Sequence, residues 1–117
     1  DFQVETGEIS APRPIIDTAA QGLESSPDGM TIDENGNLWI AFCHGGCVVC
    51  FDPANASQLA RVDFPCVETT APAFGGPGLD RLYVTTGVKP GLEEKLAGRL
   101  FAVDVGVRGV PAFSFAG

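Results

Sequence analysis

The chain has 117 residues, the length of one domain with a modest core. Hydrophobic residues at 44% against charged residues at 19% argue against a disordered chain. A net charge of −8 with no Lys or Arg cluster argues against a nucleic-acid backbone or an anionic membrane as partner, and suits a divalent cation or plain solubility.

No apolar run approaches the roughly 18 residues of a membrane span, and no signal-peptide pattern opens the chain. The first residues, "DFQVETGEIS", read as the middle of a structured unit, so the N-terminus is expected to be a cut end. Four cysteines are too few and too clustered for a disulfide scaffold. They fit a reduced, cytoplasmic chain better.

Fifteen glycines and nine prolines lie between short apolar runs, which predicts an all-β chain with many turns. In chain order, "MTID" and "NLWIAFC" flank the tight-turn sequence "ENG". "CVVCFDP" follows "HGG", and "LARVDFP" follows "ANASQ". Then come "APAFGG", "RLYVTTG", "RLFAVDV" and "VPAFSFAG". Only Gly91–Leu100, "GLEEKLAGRL", could turn helically, and it is short.

These pieces repeat. Asn37-Leu38-Trp39-Ile40-Ala41 matches Arg81-Leu82-Tyr83-Val84-Thr85. Gly46–Asp52 matches Gly98–Asp104, with extra residues of the second copy in the loop Gly87–Ala97. A period of about 40 to 50 residues with four strands per copy is the pattern of a β-propeller blade. The expected division is the outer strands of one blade over 1–20, a full blade over 27–65, and a last blade over 69–117. So few blades cannot close a ring and would leave sheet faces and edges uncovered. The chain therefore reads as part of something longer.

The most conspicuous chemistry is "CHGGCVVC", Cys43 to Cys50. Strand parity places Cys47 and Cys50 on opposite faces, so they cannot share a metal. Cys43 and Cys47 flank a three-residue loop as possible cross-strand neighbours, which leaves a disulfide between them open. Two thiols and a loop histidine fall short of a zinc site, which takes four ligands, or three and a water. His44 is expected to be an exposed loop residue.

Pro27-Asp28-Gly29-Met30, followed by Asp33, Gly36, Leu38-Trp39 and Ala41, carries a family resemblance. It continues through Gly45-Gly46, Val48, Asp52-Pro53, Leu59 and Phe64-Pro65. Phe74-Gly75-Gly76, Leu82–Thr85, Gly106-Val107 and Phe115-Ala116-Gly117 complete it. The chain resembles the C-terminal part of the regucalcin (senescence marker protein)/gluconolactonase/luciferin-regenerating-enzyme-like family. The resemblance implies the last two and a half blades of a six-bladed propeller, from metal-dependent hydrolases of sugar lactones and from calcium-associated regucalcins.

It also implies the site. Asp28 of "PDG" would be both a metal ligand and the general base, on an innermost strand at the central funnel. The chemistry is reasonable in its own right. A divalent cation (Ca, Zn, Mg or Mn) takes carboxylate oxygens and activates water, and a neighbouring carboxylate accepts the proton. The family's other ligands, a Glu and an Asn, would lie before residue 1. Thr70 aligns with Asp28 one blade later, and Thr69 and Thr70 are weaker candidates for the substrate pocket. Where family members carry polar or basic residues this chain has Cys47 and Cys50, so those cysteines read as incidental.

Asp33, Asp52 and Asp80 lie in or beside turns and read as turn chemistry. "DENGN" lacks the spacing and the closing Glu of a calcium loop. Trp39 and Tyr83 are expected between blades. The expected partner is a small lactone, together with a complementary N-terminal segment or a second copy of the chain. A non-catalytic calcium-binding role and a purely structural one are the rivals.

Overall fold

A computed structural model describes residues 1–114; Phe115, Ala116 and Gly117 of the family motif lie outside the described residues. The architecture is all-β, in two antiparallel sheets. The first joins β1 (Ser26–Ile32), β2 (Leu38–Cys43), β3 (Cys47–Phe51) and β4 (Gln58–Asp63) in sequence order. The second joins β5 (Thr69–Gly75), β6 (Arg81–Thr86) and β7 (Leu100–Val103). The stretch from Gly91 forms turns rather than a helix and runs into β7 at Leu100. Among the described residues no helix is long and apolar enough to cross a membrane.

The two sheets are copies down to their register. Leu38, Trp39, Ile40 and Ala41 pair with Phe51, Cys50, Val49 and Val48. Their repeat partners Leu82, Tyr83, Val84 and Thr85 pair with Val103, Ala102, Phe101 and Leu100. Both first strands carry a bulge at the same place, between Pro27 and Met30 in β1 and between Thr69 and Ala71 in β5.

Alternation along the strands divides the core in two. Trp39, Ala41, Val48 and Cys50 face the second sheet and pack against Leu82 and Val84. Trp39 meets Phe74 edge-to-face at 6.1 Å between ring centres. Ile40, Phe42, Cys47, Val49 and Phe51 face the other way, beneath Leu23 and Ile16. Trp39 is thus an inter-sheet residue, as its place in the repeat predicts. Tyr83, its copy, points away from the first sheet and is half-buried against Gly75.

The chain is less regular at both ends of the two sheets. Where two outer strands are expected over residues 1–20, one isolated bridge joins Phe2 and Ile9. Phe2, Val4 and Ile9 are exposed, so no buried face supports a longer ladder there. Residues 110–114 of the expected final strand "VPAFSFAG" are likewise outside any strand.

Asp33 shows what the turn aspartates do. It is buried and accepts from the backbone N–H groups of Asn35 and Asn37 at 2.9 Å each. It also accepts from Asn37 Nδ2 at 3.2 Å and Trp39 Nε1 at 3.0 Å. Those donors close the turn and fix the inter-sheet Trp39. Asp52 accepts from Ala54 N at 2.8 Å and Asn55 Nδ2 at 2.9 Å in the same manner.

Candidate functional site

Asp28 lies in the β1 bulge and is exposed. A bulge interrupts the alternation of a strand and re-aims one side chain, which here turns a carboxylate out of the ladder. Gly29 explains the "PDG" sequence physically. A Cβ on Gly29 would stand 2.7 Å from Ala71 Cβ, 2.8 Å from Ala71 Cα and 2.8 Å from the Thr70 carbonyl oxygen. Only glycine lets β1 lie this close to β5. The two first strands therefore run side by side, with Asp28 and Thr70 at equivalent bulge positions.

The two threonines have different surroundings. Thr69 is fully buried, with its hydroxyl 2.8 Å from the Phe42 carbonyl and 2.9 Å from the Cys47 carbonyl. A hydroxyl has one proton, and here it is shared between two acceptors that hold β5 to the first sheet. Thr70 is half-buried, with its hydroxyl 2.7 Å from Thr85 Oγ1 and 3.0 Å from the Thr85 carbonyl. One oxygen lone pair of Thr70 stays open to a ligand donor.

Beside this seam the structure assembles a cluster that spacing along the chain does not announce. Cys43 at the end of β2 donates to Glu68 Oε2 at 2.8 Å. His44 Nδ1 lies 2.6 Å from Glu68 Oε1. A carboxylate only accepts, so this contact is a hydrogen bond in the tautomer that carries the ring proton on Nδ1. The Cys43 thiol and the burial-opposing hydrogen bond of His44 hold the Glu68 carboxyl below its ordinary value. The same Glu68 hydrogen bond, burial, and the charges of Glu68 and Asp28 push the Cys43 thiol up to about 11. Asp28 is thus close enough for its charge to be felt at Cys43.

Cys47 has no part in the cluster. Cys47 packs with Phe42 on one face of the first sheet, and Cys43 follows Phe42 onto the other. The disulfide left open by the loop spacing is therefore ruled out by parity, and all four cysteines are free thiols. Cys47 and Cys50 fall into different core clusters, as parity predicts. Glu68 is the residue that sequence reasoning missed. It stands twenty-odd residues from Cys43 on the approach to β5, and only the stacking of the sheets brings it there. Glu94, in the loop after β6, accepts from Val67 N at 3.0 Å and covers the same approach.

Two stacked antiparallel sheets that repeat one another in register define an architecture rather than a single protein. Residues 1–88 match the SMP-30/Gluconolactonase/LRE-like region, and the chain belongs to that family. It is 41% identical over 96% of its length to the pentonolactonase XacC of Haloferax volcanii. It is 37% identical over its whole length to human regucalcin. It spans 40% of each of these relatives. Among solved structures it resembles a luciferin-regenerating enzyme, with a TM-score of 0.83 and 33% identity over 94% of this chain and 38% of that one. It also resembles a regucalcin from Agrobacterium tumefaciens described as a calcium-binding protein. That TM-score is 0.69, with 30% identity over 76% of this chain and 32% of the other.

Proposed function

We propose that the chain is the C-terminal part of a six-bladed, metal-dependent lactonase that opens small sugar lactones, with Asp28 as metal ligand and general base. The observation that carries this reading is the exposed Asp28 on its bulge, beside β5, in a family that includes a pentonolactonase. The donor set fits such an ion in part. Asp28 offers one carboxylate, and Ca²⁺ takes about six to eight oxygens. The remaining ligands that the resemblance implies, a Glu and an Asn, would come from other blades of the whole protein.

A divalent ion, when bound, polarises the lactone carbonyl and makes water more acidic. Asp28 takes the proton of the attacking water as the water oxygen bonds to the carbonyl carbon. The ring C–O bond then breaks, and the proton passes to the departing oxygen, giving the open hydroxy acid. Thr70, at the equivalent bulge, accepts a hydrogen bond from a sugar hydroxyl. Thr69 acts behind it by fixing the start of β5.

The test is complementation. The 117-residue chain is combined with the N-terminal portion of the Haloferax pentonolactonase, and lactone hydrolysis is followed with Mn²⁺, Zn²⁺ or Ca²⁺. Turnover that needs both pieces and is lost in Asp28→Asn supports the reading. Turnover by this chain alone, or full turnover with Asp28→Asn, refutes it. The calcium-binding description of the Agrobacterium neighbour favours one alternative, a calcium-binding role without physiological catalysis. Calcium binding by the complemented protein with no hydrolysis of any sugar lactone would select it.

A further inference from the structure

We propose that Cys43, His44 and Glu68 form a zinc-type metal site of their own, distinct from Asp28, with a water in the fourth position. The thiol sulfur, a ring nitrogen and a carboxylate oxygen already lie within 4.8 Å of one another. Zinc bonds of about 2.0 to 2.3 Å at tetrahedral angles set donors about 3.3 to 3.7 Å apart. The Cys43–Glu68 and His44–Glu68 separations of 2.8 and 2.6 Å are therefore slightly short. Side-chain rotation of under about an ångström opens them enough to admit the ion.

The backbone holds these three residues together without help from a metal. Cys43 and Glu68 form a bridge between the two sheets. Gly46 N donates to Val67 O at 3.0 Å, and Gly87 N donates to Glu68 O at 2.8 Å. The turn is tight at Gly46, where a Cβ would stand 3.1 Å from the Cys66 carbonyl oxygen. His44 has φ 68°, in the left-handed region, which turns its ring back over Glu68. Such strain is retained where surrounding structure enforces it.

Two further observations point to a cation. Glu68 is 8% exposed, and the only group that forms an ion pair with it among the described residues is an imidazole. A buried carboxylate needs countercharge; His44 gives it only when protonated, and Lys89 acts on it from beyond ion-pair distance. His44, with 55% of its side chain exposed, leaves the cluster open to solvent.

The donor set names the class of ion. A thiolate, an imidazole and one carboxylate suit zinc or cobalt(II) and not calcium or magnesium, which take oxygen ligands. Binding releases the Cys43 thiol proton to solvent and the thiolate sulfur bonds to the metal, while the ring nitrogen of His44 that ligates gives up its proton and the other ring nitrogen keeps one. The charge of Asp28 reaches Cys43, so the site adjoins the proposed catalytic carboxylate while sharing no ligand with it.

Cobalt(II) titration of the reduced 117-residue chain reads the site directly. The expected result is a thiolate-to-cobalt charge-transfer band that saturates at one equivalent and is displaced by zinc. Cys43→Ser abolishes the band. Glu68→Gln and His44→Asn weaken binding at least about tenfold. Asp28→Asn leaves it intact, which separates this site from the lactonase one. His44 is exposed, so His44→Asn keeps the fold and decides the matter should Cys43→Ser unfold. Absence of a band at one equivalent overturns the proposal. So does a band that survives Cys43→Ser, one whose affinity is unchanged in His44→Asn, or one lost in Asp28→Asn.

Discussion

At the scale of single residues, the acidic side chains of this chain differ by their hydrogen bonds rather than by their number. Asp33 is buried, which pushes its carboxyl up, but the donors of Asn37, Trp39 and Asn35 outweigh burial and hold it below the ordinary value. A depressed carboxyl stabilises the fold above its unfolded pKa. That contribution is lost as pH falls through the lower folded value. Denaturant unfolding of wild type should therefore lose stability below about pH 4, and Asp33→Asn should show a shallower fall over the same range. At neutral pH Asp33→Ala leaves Trp39 Nε1 and the Asn37 donors without an acceptor and should cost about 2–3 kcal/mol. Asp28, by contrast, is exposed on its bulge and fastens no turn among the described residues. Asp28→Asn should leave the unfolding midpoint within about 0.5 kcal/mol of wild type. A large loss of stability in that variant would mark the residue as structural and remove it from the site.

At the scale of elements, Gly29 ties sequence to site most directly. Gly29→Ala drives a methyl into Ala71 and the Thr70 carbonyl, so β1 and β5 must separate. The expected cost is about 1–3 kcal/mol, read as a lower thermal midpoint. Ala71→Gly should recover only part of it, because Ala71 Cα and Thr70 O stand just as close. The internal repeat made most of this legible in advance. Matching Leu38 with Leu82 predicts the common register of β2–β3 and β6–β7, and it puts Thr70 opposite Asp28 in the scheme. Parity predicts that Cys47 and Cys50 face apart. The same parity, applied one residue earlier, separates Cys43 from Cys47, and the three-residue loop had suggested the reverse. Oxidation with diamide followed by peptide mapping should accordingly find no Cys43–Cys47 link. The Cys43–His44–Glu68 cluster could not be read from spacing. Its members come from two sheets, and a sequence pattern reports neighbours within an element, not the side chains that stacked elements bring together. The same limit explains Thr69: its hydroxyl reaches carbonyls of β2 and β3 that no local pattern names.

At the scale of the whole molecule, the two sheets stack head to tail. The face of the first that carries Trp39 and Val48 meets the face of the second that carries Leu82 and Val84. By the repeat, the second sheet offers the copy of the Trp39 face, with Tyr83 and Leu100, and Leu100 is 63% exposed. Such an arrangement is heterologous: each sheet has one face that receives and one that is received, so stacking does not end with two. The dimensions agree with an open stack. The radius of gyration is 15.4 Å, and a compact chain of this length has about 13 Å. β4 and β7 end their sheets as edge strands. We predict that the 117-residue chain alone associates in a concentration-dependent way through the Tyr83–Leu100 face. Sedimentation velocity should show species above the monomer mass of 12.2 kDa that grow with loading concentration. Leu100→Glu, which puts a charge on the open face and leaves the buried Leu82–Val84 side alone, should shift the distribution back toward monomer. Adding the N-terminal portion of a relative should do the same by covering that face. A compact monomer at every concentration would show that the stack is complete as it stands, and the six-bladed reading would lose its physical basis.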